Sequence, residues 1–436
     1  MFDVIRRRFE SVSRTYYQDS NKETGYMFLM ATFTNGKPQW ESLPQHVILL
    51  IYSRLDISDR FSASLTCHRW SEIFDNPILW RHFTFCFKTK AHTNQLKCLD
   101  KHGSHLKSVH VHVDPRVPIN CENLCRVITG LARCEERRLQ RIGIFFTAEN
   151  PLFFQGTEIQ SSLAELFGPP DPRVSMTGTL TEVDLSGLHV TYTDILLKLL
   201  SSNHPNLEIL NIQNISLSCM ISSEALLDLV QKCRKLRKLW CFYKSTCDEL
   251  MEAFVEKDRA PLEFLSLSCQ REDKFHKHLS IDSWDKITKA LPKLRASFLF
   301  DHTIERLDIH SILHHQIPLV ELSLRTMSEL HREVALVDSY FSQTLEKLTI
   351  TTKGSKFLEE ALVRLVENAV NLKVLHCYCG LSQEIIDKIK TLKPDLVECT
   401  LHTEENVEGI VIGREARATV MDVRNYRFVG QEEDSE

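Results

Sequence analysis

The chain has 436 residues, of which 43% are hydrophobic and 25% charged, and its formal net charge is -5. That length is too great for one ordinary core, so two domains or an elongated array are expected. The slightly acidic charge balance gives no reason to expect nucleic acid or an anionic membrane as a partner.

The fourteen cysteines indicate the compartment. Several stand inside apolar runs such as 239–242, where a thiol behaves as a small hydrophobe. The opening residues do not resemble a secretory signal, and no apolar run is long enough to span a bilayer. A reducing interior, the cytoplasm and/or the nucleus, is therefore predicted.

Residues 1–38 are polar and end in turn-forming residues, including Asn35, Gly36 and Pro38. They are predicted to form a mobile N-terminal extension. The basic run 6–8 fits either a weak nuclear-import signal or a solvated start of the chain.

A dense apolar segment begins at Leu43 and continues to Trp80. Val47, Ile51 and Leu55 recur at four-residue spacing, which predicts an amphipathic helix of about three turns. Two further short helices are predicted before Trp80. So small a unit is expected to bury part of its apolar surface against another protein, or else against its own chain, and periodicity does not separate the two.

This segment resembles an F-box over residues 39–85. The resemblance is carried by the order and spacing of four short motifs: Leu43-Pro44, Leu55-Asp56, Cys67-x-Arg69-Trp70 and Leu79-Trp80. Three positions depart from the F-box pattern: His46 stands where an acid is common, Arg60 where leucine is common and Thr66 where valine is common.

The resemblance implies a partner, because F-boxes bind a Skp-family linker protein that bridges to a cullin and its RING subunit. By that analogy six residues would line the linker contact: Leu43, Pro44, Val47, Ile48, Ile51 and Leu55. Four others would form the small core or its continuation into the next domain: Leu65, Cys67, Trp70 and Trp80.

After residue 100 a repeated pattern follows: apolar, two variable, apolar, one variable, apolar. It starts at Leu106, Leu139, Leu180, Leu207, Leu236, Leu262, Leu294, Leu319, Leu345, Leu372 and Leu396. From Leu180 onward the interval averages about 27 residues, within the leucine-rich-repeat range. The segments between have helical character, as in 194–200 and 359–366.

The predicted fold is therefore α/β: an N-terminal three-helix F-box and then, over residues 90–405, a leucine-rich-repeat solenoid with parallel strands on the concave side and helices on the convex side. Residues 406–436 form a predicted C-terminal tail with a disordered acidic end, whose apolar part could cap the last repeat. Together, the F-box and the repeats resemble the F-box and leucine-rich-repeat protein family.

In each repeat, the residue between the second and third apolar positions and the residue just after are expected on the open concave face. In the centre of this face, aromatic residues flank Ser266 and Ser268, and Arg325 lies one strand further on. The predicted substrate-binding residues are Trp240, Phe242, Phe298, Phe300, Arg325 and Tyr378. The alternative is that these aromatics pack under a loop, under the tail or on each other.

No motif for catalysis, metal or cofactor stands out. The Cys121-x-x-x-Cys125 and His376-Cys377-x-Cys379 spacings do not form a paired zinc set, and neither a phosphate loop nor a Gly-x-Ser-x-Gly elbow is present. The sequence thus favours a non-catalytic subunit that recruits an unknown protein substrate to a Skp-cullin-F-box ubiquitin ligase. The alternative is a repeat scaffold that binds a protein partner without promoting ubiquitination.

Overall fold

The computed structural model describes residues 33–34, 37–38, 40–55, 57–147, 156–173, 175–176, 179–214, 219–271, 278–304, 306–326 and 328–403. The predicted tail over 406–436 and most of the predicted N-terminal extension lie outside these residues. The chain divides into two compact units, one of residues 1–83 with 104–108 and one of residues 84–103 with 109–436.

In the part of the first unit that the structure describes, three short helices, α1 (Gln45–Arg54), α2 (Ile57–Ser64) and α3 (His68–Phe74), are followed by a 3-10 turn at Pro77–Trp80. Tyr52 is at the centre: its hydroxyl donates to the carbonyl of Trp70 at 2.8 Å, and its ring centroid is 5.3 Å from that of Trp70. Phe74 packs edge-on against Trp80 at 5.1 Å. The aromatic residues of the motifs therefore form the core of this unit.

Twelve strands form one sheet in which each strand pairs with its neighbour in the chain. They are β1 (His82–Phe87), β2 (Ser108–Val113), β3 (Arg141–Phe146), β4 (Glu182–Gly187), β5 (Ile209–Asn211), β6 (Lys238–Phe242), β7 (Phe264–Cys269), β8 (Arg295–Phe300), β9 (Leu319–Arg325), β10 (Lys347–Thr351), β11 (Val374–Leu381) and β12 (Glu398–Thr403). The pairs from β3 to β12 are all parallel.

A helix follows most strands, and successive helices pack on one another as successive strands do. They are α4 (Leu96–His102), α5 (Pro118–Ala132), α6 (Thr157–Phe167), α7 (Asp194–Asn203), α8 (Ser223–Lys232), α9 (Asp248–Ala253), α10 (Ile281–Ala290), α11 (Arg306–Ile312), α12 (His331–Phe341), α13 (Lys356–Asn368) and α14 (Gln383–Leu392). This layered α/β arrangement confirms the predicted solenoid; β1 is a strand that the repeat pattern did not predict.

The repeats are joined at the N-terminal ends of their helices. Asp194 in the first turn of α7 accepts hydrogen bonds from the backbone N–H and hydroxyl of Ser222, both at 2.8 Å. Asp248 in α9 accepts from the N–H of Ser280 at 2.9 Å. Since Ser222 and Ser280 also cap α8 and α10, one short polar motif both starts a helix and ties it to the preceding repeat.

The outward orientation expected for Phe298 and Phe300 is corrected by the structure. Strand pairing aligns Ala296 with Leu265 and Phe298 with Leu267, and both phenylalanines are fully buried. The repeat that starts at Leu294 has one residue fewer before its second core position than the pattern assumes. Because side chains alternate along a strand, that single residue exchanges the two faces.

Replacing Phe298 by alanine should therefore destabilise the second unit, by about 3–5 kcal/mol, because a fully buried aromatic side chain leaves a cavity. Urea denaturation would measure the change. The matched control is Leu299→Ala, one residue on and only partly buried, which should cost clearly less. A larger loss for Leu299→Ala would contradict the strand register described above.

Candidate protein-interaction surfaces

Among its described residues, the first unit leaves five large apolar side chains in solvent. Their exposed fractions are 38% for Leu50, 42% for Ile57, 56% for Phe61, 70% for Leu65 and 53% for Ile78. They come from α1, α2, the residue after α2 and the 3-10 turn, and together are called the exposed apolar set. So many exposed apolar side chains in one small unit are typical of a protein-binding surface.

Most of the residues predicted to contact a linker are buried in the unit's own core. Leu43, Ile48, Ile51 and Leu55 are 6%, 0%, 5% and 3% exposed. Pro44 and Val47 are partly exposed, and the linker contact stays a prediction for all six residues. The physical reason for the burial is that the regular apolar stripe of α1 is the face that a three-helix unit needs for its own packing.

The predicted core residues divide in the same way. Trp70 and Trp80 are buried, with 2% and 4% of their surface exposed, whereas Leu65 is the most exposed member of the exposed apolar set. Cys67 is partly buried and directly precedes α3. Leu65 lies just past the end of α2, where the spacing of the helix no longer determines its direction.

Arg60, which departs from the F-box pattern, has a structural role. Its Nε donates to the Leu55 carbonyl at 2.8 Å, its Nη1 to the Leu79 carbonyl at 3.0 Å and its Nη2 to the Ser53 carbonyl at 3.5 Å. The carbonyls at the end of α1 lack partners within the helix. A cation there is also stabilising, because the C-terminal end of the helix dipole is negative. Arg60 thus joins α1 to the 3-10 turn.

Arg60→Met should destabilise the first unit by about 1–2 kcal/mol, because charge-assisted bonds to partly buried carbonyls are lost. Thermal unfolding followed by the fluorescence of Trp70 and Trp80 would report it. Arg69→Met, which removes an exposed arginine of α3, is the control and should change little. Equal midpoints for the two variants would rule out this role for Arg60.

On the open face of the second unit, a depression crosses the strands from β6 to β10. The indole of Trp240 packs against Phe264, with ring centroids 5.0 Å apart, and forms one wall. Small hydroxyl residues form the floor, among them Ser266, whose hydroxyl donates to the Gln213 side chain at 3.2 Å. Lys347 and Arg325 lie at the other end. This is called the central depression.

The predicted substrate-binding residues are only partly brought together. Trp240 and Arg325 line the central depression, and so does Phe298, although its side chain is fully buried. Phe242 lies on the outward row of β6 but is only 3% exposed, and Phe298 and Phe300 belong to the core. Tyr378 lies apart on β11, stacked at 6.2 Å on His376 and at 5.7 Å on His402.

The sequence prediction missed several residues of the depression. In β8 the positions expected to face outward were shifted by one residue from those that do. Ser297 and Leu299 replace Phe298 and Phe300 on the open face, next to Glu321 and Lys347 of the following strands. The signal was already in the sequence: Ser297 is a poor core residue, and moving the register by one places Ala296 and Phe298 inside.

The cysteine thiols and the possible metal ligands of the described residues were compared with what catalysis or metal binding would need. None of the fourteen cysteines is in a disulfide, and burial raises the pKa of Cys98 and of Cys233 to about 12, far from a thiolate at neutral pH. No group of three or more histidine, cysteine or acidic side chains that could hold a metal occurs within the described ranges. Nor is any described helix both long and apolar enough to cross a bilayer.

Comparison with known proteins agrees with the two units. Residues 40–86 match the family model described as F-box-like. The chain is 24% identical to F-box/LRR-repeat protein 8 of Homo sapiens over 365 residues, which cover 83% of this chain and 95% of the relative. It is 28% identical to F-box/LRR-repeat protein 21 of Mus musculus over 363 residues, which cover 79% of this chain and 77% of the relative.

These similarities and the fold together support the F-box and leucine-rich-repeat family for this chain. Its architecture is an F-box-like helical unit followed by a repeat solenoid of parallel strands and helices.

Proposed function

We propose that this protein is the substrate-recognition adaptor of a Skp-cullin-F-box ubiquitin ligase. The first unit binds the Skp-family linker, which bridges to the cullin and RING subunit, and the open face of the solenoid binds the substrate protein. The observation that carries the proposal is the exposed apolar set on a unit that matches the F-box-like model. The expected place of action is the cytoplasm and/or the nucleus.

The exposed apolar set suits a stable protein contact. Full burial of a leucine or phenylalanine side chain contributes roughly 1.5–3 kcal/mol, so covering the exposed parts of Phe61 and Leu65 adds favourable free energy to the contact. Pro44 and Val47, which are partly exposed, extend the available surface. The buried residues of α1 hold this surface in shape.

No chemistry is required of the adaptor itself. A substrate held on the solenoid is kept near the conjugating enzyme, and this raises the effective concentration of its lysines. This proximity mechanism makes the protein a non-catalytic subunit, without a cofactor. It is also consistent with the high pKa values of the buried thiols Cys98 and Cys233.

The double variant Phe61→Asp with Leu65→Asp should lower the affinity for the Skp-family linker at least ~100-fold, because two charges replace apolar anchors of the contact. Affinity capture of the full chain followed by mass spectrometry would show linker and cullin lost together. The control is Ile195→Asp with Phe357→Asp, which changes two equally exposed apolar residues on solenoid helices.

Undiminished capture of the linker by the Phe61 and Leu65 variant would refute the docking surface. Capture of the linker without any cullin by the unmodified chain would instead favour a scaffold that does not promote ubiquitination.

Trp240→Ala should reduce substrate capture by about 2–4 kcal/mol of binding free energy while leaving linker binding unchanged, because an aromatic wall of the depression is removed. Quantitative mass spectrometry of captured proteins, with and without proteasome inhibition, would measure it. The control Tyr340→Ala removes a partly exposed aromatic side chain from helix α12. If both variants retained the same partners as the unmodified chain, the substrate would bind elsewhere.

A further inference from the structure

The central depression has a polarity that points to one kind of peptide. Its apolar wall is Trp240, on β6, and its cationic residues, Arg325 and Lys347, are on β9 and β10. The floor between them is made of short side chains, including Ser266 and Ser297, so backbone can approach closely there. An occupant must therefore present an apolar group at one end and a negative group at the other.

The cationic end is dominated by Arg325. This side chain is about nine-tenths buried yet lines the depression, and its Nε donates to the hydroxyl of Ser323 at 3.1 Å. Ser323 also lines the depression, so this hydrogen bond lies at its edge. A guanidinium offers a planar fork of donors that matches a carboxylate, and partial burial strengthens such a contact.

The charged residues that line the depression also limit how much negative charge a bound ligand can carry. Lys347 stands directly across from Glu321, and both line the depression with Arg325. Two cations and one carboxylate leave a net charge of +1. A single carboxylate balances this charge, whereas a phosphate of charge near -2 would bring excess negative charge close to Glu321.

The distance between the two ends sets the spacing within the ligand. Trp240 and Arg325 are separated by three strand intervals of about 4.8 Å. Trp240 is level with Glu321 in the strand register, and Arg325 lies four residues further along β9, so the Cα atoms of Trp240 and Arg325 are roughly 20 Å apart. An extended peptide advances about 3.3 Å per residue, so the two anchors lie about six residues apart in the ligand.

We infer that the substrate is recognised through an extended peptide segment in which an aspartate or glutamate lies about six residues from a large apolar residue. The apolar residue packs on Trp240 and the carboxylate binds Arg325. This inference rests on the proposed substrate-binding role of the open face, and it names the chemistry that this face selects.

A library of random twelve-residue peptides displayed on phage, selected on the full chain bound to its Skp-family linker, tests the inference. The selected peptides should share an acidic residue at this spacing from an aromatic or aliphatic residue. Their affinity, measured by fluorescence anisotropy, should fall at least tenfold when the acidic residue is replaced by its amide.

Two variants examine the cationic end. Arg325→Glu should shift the selected peptides from acidic to basic residues at that position. Because Arg325 is buried and its replacement could impair folding, Ser323→Asp serves as the second variant: it places a carboxylate on the chain beside Arg325, at a partly exposed position, and should block acidic peptides at least tenfold. Linker binding should be unchanged in both variants.

The inference is overturned if the selected peptides share no acidic position, if no peptide is enriched, or if phosphoserine in place of the acid strengthens binding. It is also overturned if Ser323→Asp binds acidic peptides as tightly as the unmodified chain. In these cases the proposed function still stands if Trp240→Ala loses captured substrate. Failure of that separate capture experiment would remove the substrate-binding role of the face itself.

Discussion

The two-residue period of the β-strand is the constraint on which this solenoid depends. In a parallel sheet with neighbouring strands in register, each core row continues from repeat to repeat, as Leu239, Leu265 and Ala296 do. Every residue between core positions is thereby directed to the open face. The side chains available for binding are thus determined by strand register, and a single-residue difference in one repeat changes both the core and the binding surface.

The repeat arrangement and its helices could be predicted from spacing alone, because each repeat must bury the same apolar positions against its neighbours. The face to which each side chain of β8 points could not be predicted from spacing alone. The pattern measured from Leu294 counts residues in the connection as well as in the strand. The pairing of Ala296 with Leu265 and of Phe298 with Leu267 shows where the strand begins, and in the sequence the polar Ser297 at a core position was the sign of it. Burial of Phe242 likewise depends on neighbours that no local pattern contains.

The first unit illustrates a different limit. Its apolar spacing predicted three helices, but not which apolar residues would stay outside, because a small unit and a partner compete for the same kind of side chain. The regular stripe of α1, with Ile48 and Ile51, packs internally, while Phe61 and Leu65 are left in solvent. Arg60 stands where leucine is common in the F-box pattern. Its side chain stabilises this region through hydrogen bonds to the carbonyls of Leu55 and Leu79 and not through apolar packing.

The residues that link the repeats are different from the residues on the open face. The same repeat architecture can therefore carry a specific binding surface. The links between repeats, such as those from Asp194 to Ser222 and from Asp248 to Ser280, lie at the helix N-termini and use no residue of the open face. Core rows fix the strands from the other side. Substitutions at outward positions therefore leave the stacking intact, so a tryptophan, a row of hydroxyls and an arginine can be combined on adjacent strands. The spacing between them is then set by the sheet itself, at about 4.8 Å per strand.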